Sequence, residues 1–173
     1  MIHFGRHQTT MTLIVTELDF LCEALAEGIE CRVEGFTGDF RFLSNFYPSP
    51  IEVDRILFPT VEHAYQAAKT SDRSQREAIA ALPSPGKAKR VGSMLQPTEN
   101  WERLKLGVME ALISLKFNEH VDLRQKLLAT GNSYLEETNT WGDRFWGVSS
   151  GDGLNHLGLT LMKVREMLRT STR

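Results

Sequence analysis

Cysteine is scarce in this sequence, and long hydrophobic runs are missing. Its 173 residues include only Cys22 and Cys31, without the close spacing of a zinc ribbon or the number that a disulfide scaffold needs. No apolar run approaches the roughly 18 residues that span a bilayer. The N-terminus also lacks the apolar core and small-residue cleavage site of a secretory signal. We therefore expect a protein of the reducing cytoplasm, with no membrane partner.

Motifs of the common cofactor sites are also absent. The chain contains neither a G-x-G-x-x-G nor a P-loop pattern, so dinucleotide and ATP binding have no support. His63, His120 and His156 are scattered along the chain without metal-ligand spacing, and His3 and His7 fall in a predicted frayed arm. The sequence therefore predicts no cofactor and no metal site.

The charge is distributed unevenly along the chain. The net charge is −2, but residues 1–34 carry six acids and two arginines, which leaves the remainder at +2. We interpret residues 1–33 as an acidic N-terminal extension that starts with a frayed arm at 1–15, where Met11 is a second candidate start. Residues 34–170 form the main domain. Its mildly basic balance is compatible with a phosphorylated ligand but falls short of a dedicated nucleic-acid binder.

The composition is that of a globular protein, with 41% hydrophobic and 24% charged residues. Hydrophobic spacing and capping residues predict an α+β fold, a mostly helical single domain with a small β element. Strands are predicted at 29–34, 40–42, 51–53 and 56–58. Helices are predicted at 16–26 with Thr16 as the cap, 60–69, 73–82, 84–92, from Asn100 onward, 120–130 and 155–169.

One face of the predicted helix after Thr60 carries three polar residues. Glu62, Gln66 and Lys69 stand at i, i+4 and i+7, so they share that face. Spacing alone favours a solvated stripe in which Glu62 interacts with the helix dipole. The helix follows an irregular aromatic loop directly, and that setting favours a functional site instead.

A glycine-rich aromatic loop follows later in the chain. Residues 141–147 read W-G-D-R-F-W-G, and large aromatic residues are unusual at this density in a loop. The loop is either an aromatic plug over the core or part of a site. Two flanking aromatic rings would partly desolvate Asp143, a setting that suits acid–base work.

A third feature is the basic start of the predicted helix at 84–92. Lys87, Lys89 and Arg90 lie close to its N-terminus, where backbone N–H groups and cations together favour a phosphate. A soluble helix face explains the same residues equally well. They are therefore only weak candidates for phosphate binding.

Seven segments of the chain occur together in a characteristic order. They are F-T-G-D-F-R-F-L-S-N-F-Y (36–47), P-T-V-E-H-A-Y-Q-A-A-K (59–69), A-K-R-V-G (88–92), N-W (100–101), V-M-E-A-L-I-S-L-K-F (108–117), W-G-D-R-F-W-G (141–147) and G-L-N-H-L-G-L-T-L-M-K-V-R (153–165). In this order they resemble one family, the NADAR family, also called YbiA-like, and the resemblance covers roughly residues 34–169. One departure is Gly142, where many relatives carry His.

The resemblance implies an N-glycosidase that hydrolyses the C–N bond between ribose and a base or amine. Some members act on phosphoribosylamino-pyrimidine intermediates of riboflavin synthesis, and others remove ADP-ribose from guanine in nucleic acid. Carried over by position, it implies Glu62 and Asp143 as the acid–base pair, with Lys69 as a phosphate ligand or an attacking amine. The substrate-binding residues that it implies are Trp101, Trp141, Asn45, Gln66 and Asn155.

Two further classes of protein stay open from the residues alone. The domain could be a non-catalytic module that binds ADP-ribose or a nucleotide. It could also be an interaction protein that works through the acidic extension. Deletion of residues 1–33 separates this class from the others, because a glycosidase core is expected to survive the deletion. The sequence gives no indication of the oligomeric state.

Overall fold

A computed structural model describes residues 12–171 of the chain. Seven helices form most of this part, together with a short 3-10 helix, Gly38–Leu43. The first eleven residues, which include His3, His7 and Met11 of the predicted arm, lie outside the described residues, as do the last two. The helices are α1 (Leu18–Ala26), α2 (Val61–Ala67), α3 (Arg73–Ala80), α4 (Pro85–Met94), α5 (Trp101–Glu119), α6 (Val121–Ala129) and α7 (His156–Thr170).

The strands are short and form three small sheets. Parallel strands in the order β1-β2-β5 form the largest sheet, in which Val33 pairs with Leu135. Strands β3 and β4 form an antiparallel hairpin, and β6 and β7 pair in parallel. The strands are β1 (Thr12–Ile14), β2 (Glu30–Glu34), β3 (Ile51–Val53), β4 (Ile56–Phe58), β5 (Tyr134–Glu136), β6 (Thr138–Asn139) and β7 (Val148–Ser149).

Helix α2 is short, and all seven of its residues are buried. It packs against α3, α4 and α5. Thr60 begins it as the N-cap, since its hydroxyl accepts a hydrogen bond from the His63 N–H. The His63 ring lies between the Thr60 hydroxyl and the Leu82 carbonyl, and burial lowers the pKa of this histidine. Nε2 donates to the Leu82 carbonyl, and burial favours the neutral ring, which fixes the start of α2.

A buried lysine holds the loop that precedes the β3–β4 hairpin. The Lys116 amine on α5 donates to the carbonyls of Phe42 and Ser44, at 2.6 and 3.0 Å. Burial lowers the pKa of Lys116 to about 7. Two satisfied carbonyls in the core fix the path of the chain leading to Asn45.

Several predicted boundaries are wrong in detail. Residues 40–42 lie in the 3-10 helix rather than in a strand: Phe40 and Phe42 are buried on either side of exposed Arg41, as a strand would have them, but Leu43 next to them is buried as well. Helix α4 continues past Gly92 to Met94. Glu17, not Thr16, occupies the N-cap of α1.

Part of the acidic extension belongs to the hydrophobic core. Strand β2 is the middle strand of the three-stranded sheet. Val15, Leu21 and Val33 are each at most 1% exposed. The segment from residue 12 to residue 34 therefore contributes packed side chains and strand hydrogen bonds to the domain. Along the described residues, no helix has the length and apolarity to cross a membrane.

Deletion of residues 1–34 is expected to abolish cooperative thermal unfolding, because it removes the middle strand and its buried side chains. Circular dichroism melts of the truncated protein and the whole chain test this. A cooperative melt of residues 35–173 near that of the whole chain would show that the extension is dispensable for folding.

Candidate active site

A cavity of about 720 Å³ lies where α2, α4 and the start of α5 meet the aromatic loop between β6 and β7. Residues from segments far apart in sequence form its walls. Eight of the residues singled out in the sequence line it: Asn45, Glu62, Gln66, Lys69, Lys89, Trp101, Trp141 and Asp143.

Glu62 is only 6% exposed, in the first turn of α2. Burial raises the pKa of its carboxyl, while the hydrogen bond from Gln66 and the charges of Lys89 and Lys69 act in the opposite direction. Gln66 Nε2 donates to Glu62 Oε1 at 2.8 Å, and the Glu62 N–H donates to the Asn45 carbonyl at 3.0 Å. The predicted polar face is therefore buried against a cavity rather than solvated.

Lys69 follows α2 and reaches across to α4. Its amine donates to the carbonyl of Gly92 at 3.1 Å. Burial lowers its pKa, and Glu62 acts in the opposite direction. A half-buried amine of lowered pKa beside a carboxyl is suited to hold a phosphate or to attack a sugar carbon.

Asp143 is fixed by the turn that it begins. Its Oδ1 accepts hydrogen bonds from the N–H groups of Phe145 and Trp146, at 3.1 and 2.9 Å. Asn139 holds its backbone from the other side, because the Asn139 amide bonds to both the N–H and the carbonyl of Asp143. These bonds use one carboxylate oxygen and keep the residue at the cavity wall.

The aromatic residues divide into a fixed wall and an exposed ring. Trp101 is 6% exposed, and its ring lies 5.3 Å from that of Tyr65, which in turn lies 5.4 Å from Trp146. Trp141 is 63% exposed, with the Lys89 amine 5.9 Å from its ring centroid. Both predicted tryptophans line the cavity, one as part of the core and one at its opening.

Two buried amide oxygens have no hydrogen-bond partner within the described part of the chain. They are Asn45 Oδ1 and Gln66 Oε1, on two residues that line the cavity. The Asn45 amide nitrogen contacts the sulfur of Met109 at 3.3 Å. A buried acceptor without a donor is costly. Both oxygens are therefore candidates to accept hydrogen bonds from a bound molecule.

Three of the predicted site residues are not brought to this cavity. Asn155 is the N-cap residue of α7, and its amide bonds to the Glu137 N–H, the Leu135 carbonyl and the Tyr134 hydroxyl. It joins β5 to α7 and lies at a second, smaller cavity. Lys87 and Arg90 are exposed on the other faces of α4, and only Lys89 of the basic group reaches the main cavity.

Glu137 lines the cavity and was missed by the sequence analysis. It is the single residue between β5 and β6. The pKa of its carboxyl is raised to about 7, mainly by burial; the charge of Asp143 acts in the same direction and that of Lys89 in the opposite one. Only the acidic pair Glu136-Glu137, directly after Tyr134-Leu135, could have indicated it, and a strand of three residues is too short for alternation to decide which acid faces the site.

Residues 147–151, G-V-S-S-G, fit the letters of the nucleophile motif G-x-S-x-G but not its geometry. Ser149 ends the two-residue strand β7 and is 5% exposed, and a turn rather than a helix follows it. Across the described residues there is also no group of three or more His, Cys, Asp or Glu placed to hold a metal ion.

Known proteins match this chain over most of its length. The NADAR domain family matches residues 35–169. N-glycosidase YbiA of Escherichia coli (strain K12) is 43% identical over 134 residues, which cover 76% of this chain and 81% of that protein. Riboflavin biosynthesis protein VVA0006 of Vibrio vulnificus (strain YJ016) is 37% identical over 131 residues, which cover 74% of this chain and 35% of that longer protein.

The fold is similar to that in the NMR structure of E. coli YbiA. The two match with a TM-score of 0.73 at 33% sequence identity, over 94% of this chain and 88% of the other. The chain belongs to the NADAR domain family. The predicted family and the predicted α+β, mostly helical class are both confirmed.

Gly92→Ala is expected to lower the free energy of unfolding by about 1–3 kcal/mol and to weaken activity. A Cβ at Gly92 would lie 2.7 Å from the Gln66 Cβ and overlap the Gln66 amide, so it would push α4 away from α2 and displace the carbonyl that binds Lys69. Urea unfolding measures the change.

Gly107→Ala is the matched control for this substitution. It lies in the middle of α5, where an added Cβ meets nothing within 4 Å. The variant is expected to gain about 0.5–1 kcal/mol from helix propensity. If the two variants shifted the urea midpoint alike, the close approach at Gly92 would not constrain the site.

Proposed function

We propose that this protein hydrolyses the bond between C1 of a ribose and the nitrogen of an amine or base, with Glu62 and Asp143 as the acid–base pair. The observation that carries the proposal is that these two carboxyl groups, from different segments, line one cavity with an aromatic wall. Two relatives support the reaction and its substrate class, one named an N-glycosidase and one a riboflavin biosynthesis protein. Phosphoribosylamino-pyrimidine intermediates of riboflavin synthesis are therefore the favoured substrates.

The two carboxyl groups suit the charge that develops in this reaction. Cleavage of an N-glycosidic bond builds positive charge on the ribose, and a nearby carboxylate stabilises that charge. The reaction also needs two proton transfers, one to the leaving nitrogen and one from the attacking water. A second carboxyl group can assist either transfer. Glu62 is held by Gln66 and Asp143 by two backbone N–H groups, so neither depends on the substrate for its position.

The aromatic residues are suited to bind a flat base. Trp101 packs against Tyr65 and supplies a fixed surface, and Trp141 is exposed enough to cover a bound ring. The orphan oxygens of Asn45 and Gln66 would accept hydrogen bonds from amino or hydroxyl groups of the substrate. Lys89 lines the cavity at its opening, and its charge supports it, together with Lys69, as a candidate ligand for the substrate phosphate.

Glu62→Gln and Asp143→Asn are each expected to lower the turnover rate by at least about 10²-fold. Both substitutions keep the oxygen that accepts the observed hydrogen bonds, so they remove charge without removing the local structure. The release of free aminopyrimidine measures the rate. Asp152→Asn is the control, because Asp152 is exposed in the turn after β7 and pairs with Arg144 of the aromatic loop. Losses below tenfold in both variants, with normal melting temperatures, would overturn the assignment.

The substrate class is tested by mass spectrometry of products from two separate incubations. One contains the 5-phosphoribosylamino-pyrimidine intermediate, and the other a DNA oligomer ADP-ribosylated on guanine. Release of the pyrimidine and ribose phosphate would support a metabolite glycosidase, which is the expected outcome. Release of ADP-ribose with restored guanine would support the nucleic-acid substrate. Binding without cleavage of either bond, unaffected by Glu62→Gln, would support a non-catalytic binding module.

Lys69 either binds the substrate phosphate or attacks C1 of the ribose. Attack displaces the base, opens the sugar ring and leaves an imine that water later hydrolyses. Sodium borohydride added during turnover reduces such an imine, and intact-mass spectrometry then shows a ribose phosphate adduct on the wild type and none on Lys69→Met. If no adduct forms and Lys69→Met mainly raises KM, Lys69 is a phosphate ligand.

We propose a cytoplasmic location on the basis of the two cysteines. Cys22 is exposed and Cys31 buried, and both are free thiols in the structure. Such thiols persist in a reducing compartment.

A further inference from the structure

Glu137 has a rigid backbone and a side chain at the active-site wall. Its N–H donates to Asn155 Oδ1 at 3.1 Å, and its carbonyl accepts from the Val148 N–H at 2.9 Å. Gly147 lies so close to Glu137 that a Cβ added at Gly147 would overlap the Glu137 carbonyl. Strands β5, β6 and β7 therefore fix the residue where its side chain lines the same cavity as Glu62 and Asp143.

Four carboxyl groups line the cavity, and three of them have partners within the protein. Glu62 accepts a hydrogen bond from Gln66, Asp143 accepts two from backbone N–H groups, and Glu102 pairs with Lys105. Glu137 Oε2 is buried and has no hydrogen-bond partner among residues 12–171. An ionised oxygen in that position would lack solvation, whereas a protonated one carries a hydrogen that it can donate.

The charges that face Glu137 come from two other segments. Asp143 on the aromatic loop favours its protonated form, and Lys89 on α4 favours the ionised form. Glu62, Lys69 and the Glu102–Lys105 ion pair line the same cavity. The neighbouring Glu136 lies at the second cavity and pairs with Arg32. Asp143 therefore places a negative charge near Glu137 that helps to retain its proton.

We propose that Glu137 is the general acid of the reaction, the residue that protonates the leaving nitrogen as the C1–N bond breaks. The bonding pair passes to that nitrogen, which takes the proton of Glu137. Water adds to C1 and gives up its proton to an ionised carboxylate of the cavity, Glu62 or Asp143. That proton returns through solvent to Glu137, so one water is consumed in each cycle. This inference rests on the proposed function and assigns the proton-donating step to a third residue.

The leaving group distinguishes a proton donor from a residue that merely shapes the site. A pyrimidine amine is a poor leaving group and needs a proton, whereas 4-nitrophenolate leaves without one. Glu137→Gln is therefore expected to lower kcat at least about 10²-fold on the phosphoribosylamino-pyrimidine and less than about fivefold on 4-nitrophenyl riboside 5-phosphate. Glu136→Gln is the control and is expected to change neither rate by more than about twofold.

The pH dependence of the wild type gives a second test that needs no variant. A general acid must be protonated, so kcat/KM on the pyrimidine substrate should fall as the pH rises through about 7, the pKa of Glu137. The nitrophenyl substrate should lack this decline. Lys116 also titrates near this pH, but deprotonation of a structural lysine would affect both substrates alike.

The outcomes separate this inference from the proposed function. Equal losses on both substrates, or the same pH decline for both, would overturn the assignment of Glu137 while leaving the glycosidase activity intact. A loss below threefold on the pyrimidine substrate would do the same. If the wild type cleaves neither substrate, the proposed function fails, and this inference fails with it.

Discussion

The complete burial of helix α2 is the constraint on which the active site depends. Helices α3, α4 and α5 surround its seven residues, and they place the Glu62 carboxyl where water is largely excluded. The close contact at Gly92 makes this possible, because α4 can approach Gln66 only where the helix has no Cβ. A charged group in such a place keeps its position only if its partners are built in, and Gln66, Lys69 and Lys89 are those partners.

The electrostatic balance of the cavity follows from the same exclusion of water. Lys89 acts on both Glu62 and Glu137, which belong to different segments. One cation at the opening thus influences two acids of the cavity. A phosphate that paired with Lys89 would weaken this influence and favour the protonated forms of both acids.

Local sequence patterns predicted the helices well and the site in part. The face of Glu62, Gln66 and Lys69 was predicted from helical spacing, and the aromatic loop from its composition. Whether that face met solvent or a cavity depended on how α4 packs against α2. The periodicity of residues within α2 gives no information about that packing. Glu137 was missed because its place is set by three strands of two or three residues. Asn155 matched a family motif, but its amide is used in joining β5 to α7.

The parallel pairing of β2 with β5 has a consequence for folding during synthesis. Val33 and its partner Leu135 are more than one hundred residues apart, and the family match begins just after β2. The middle strand is therefore synthesised early, and it has no β5 partner until most of the domain has left the ribosome. Such a long loop closure is slow. During that interval β2 has one open edge, and its charged residues, Glu30, Arg32 and Glu34, protect that edge from pairing with other chains.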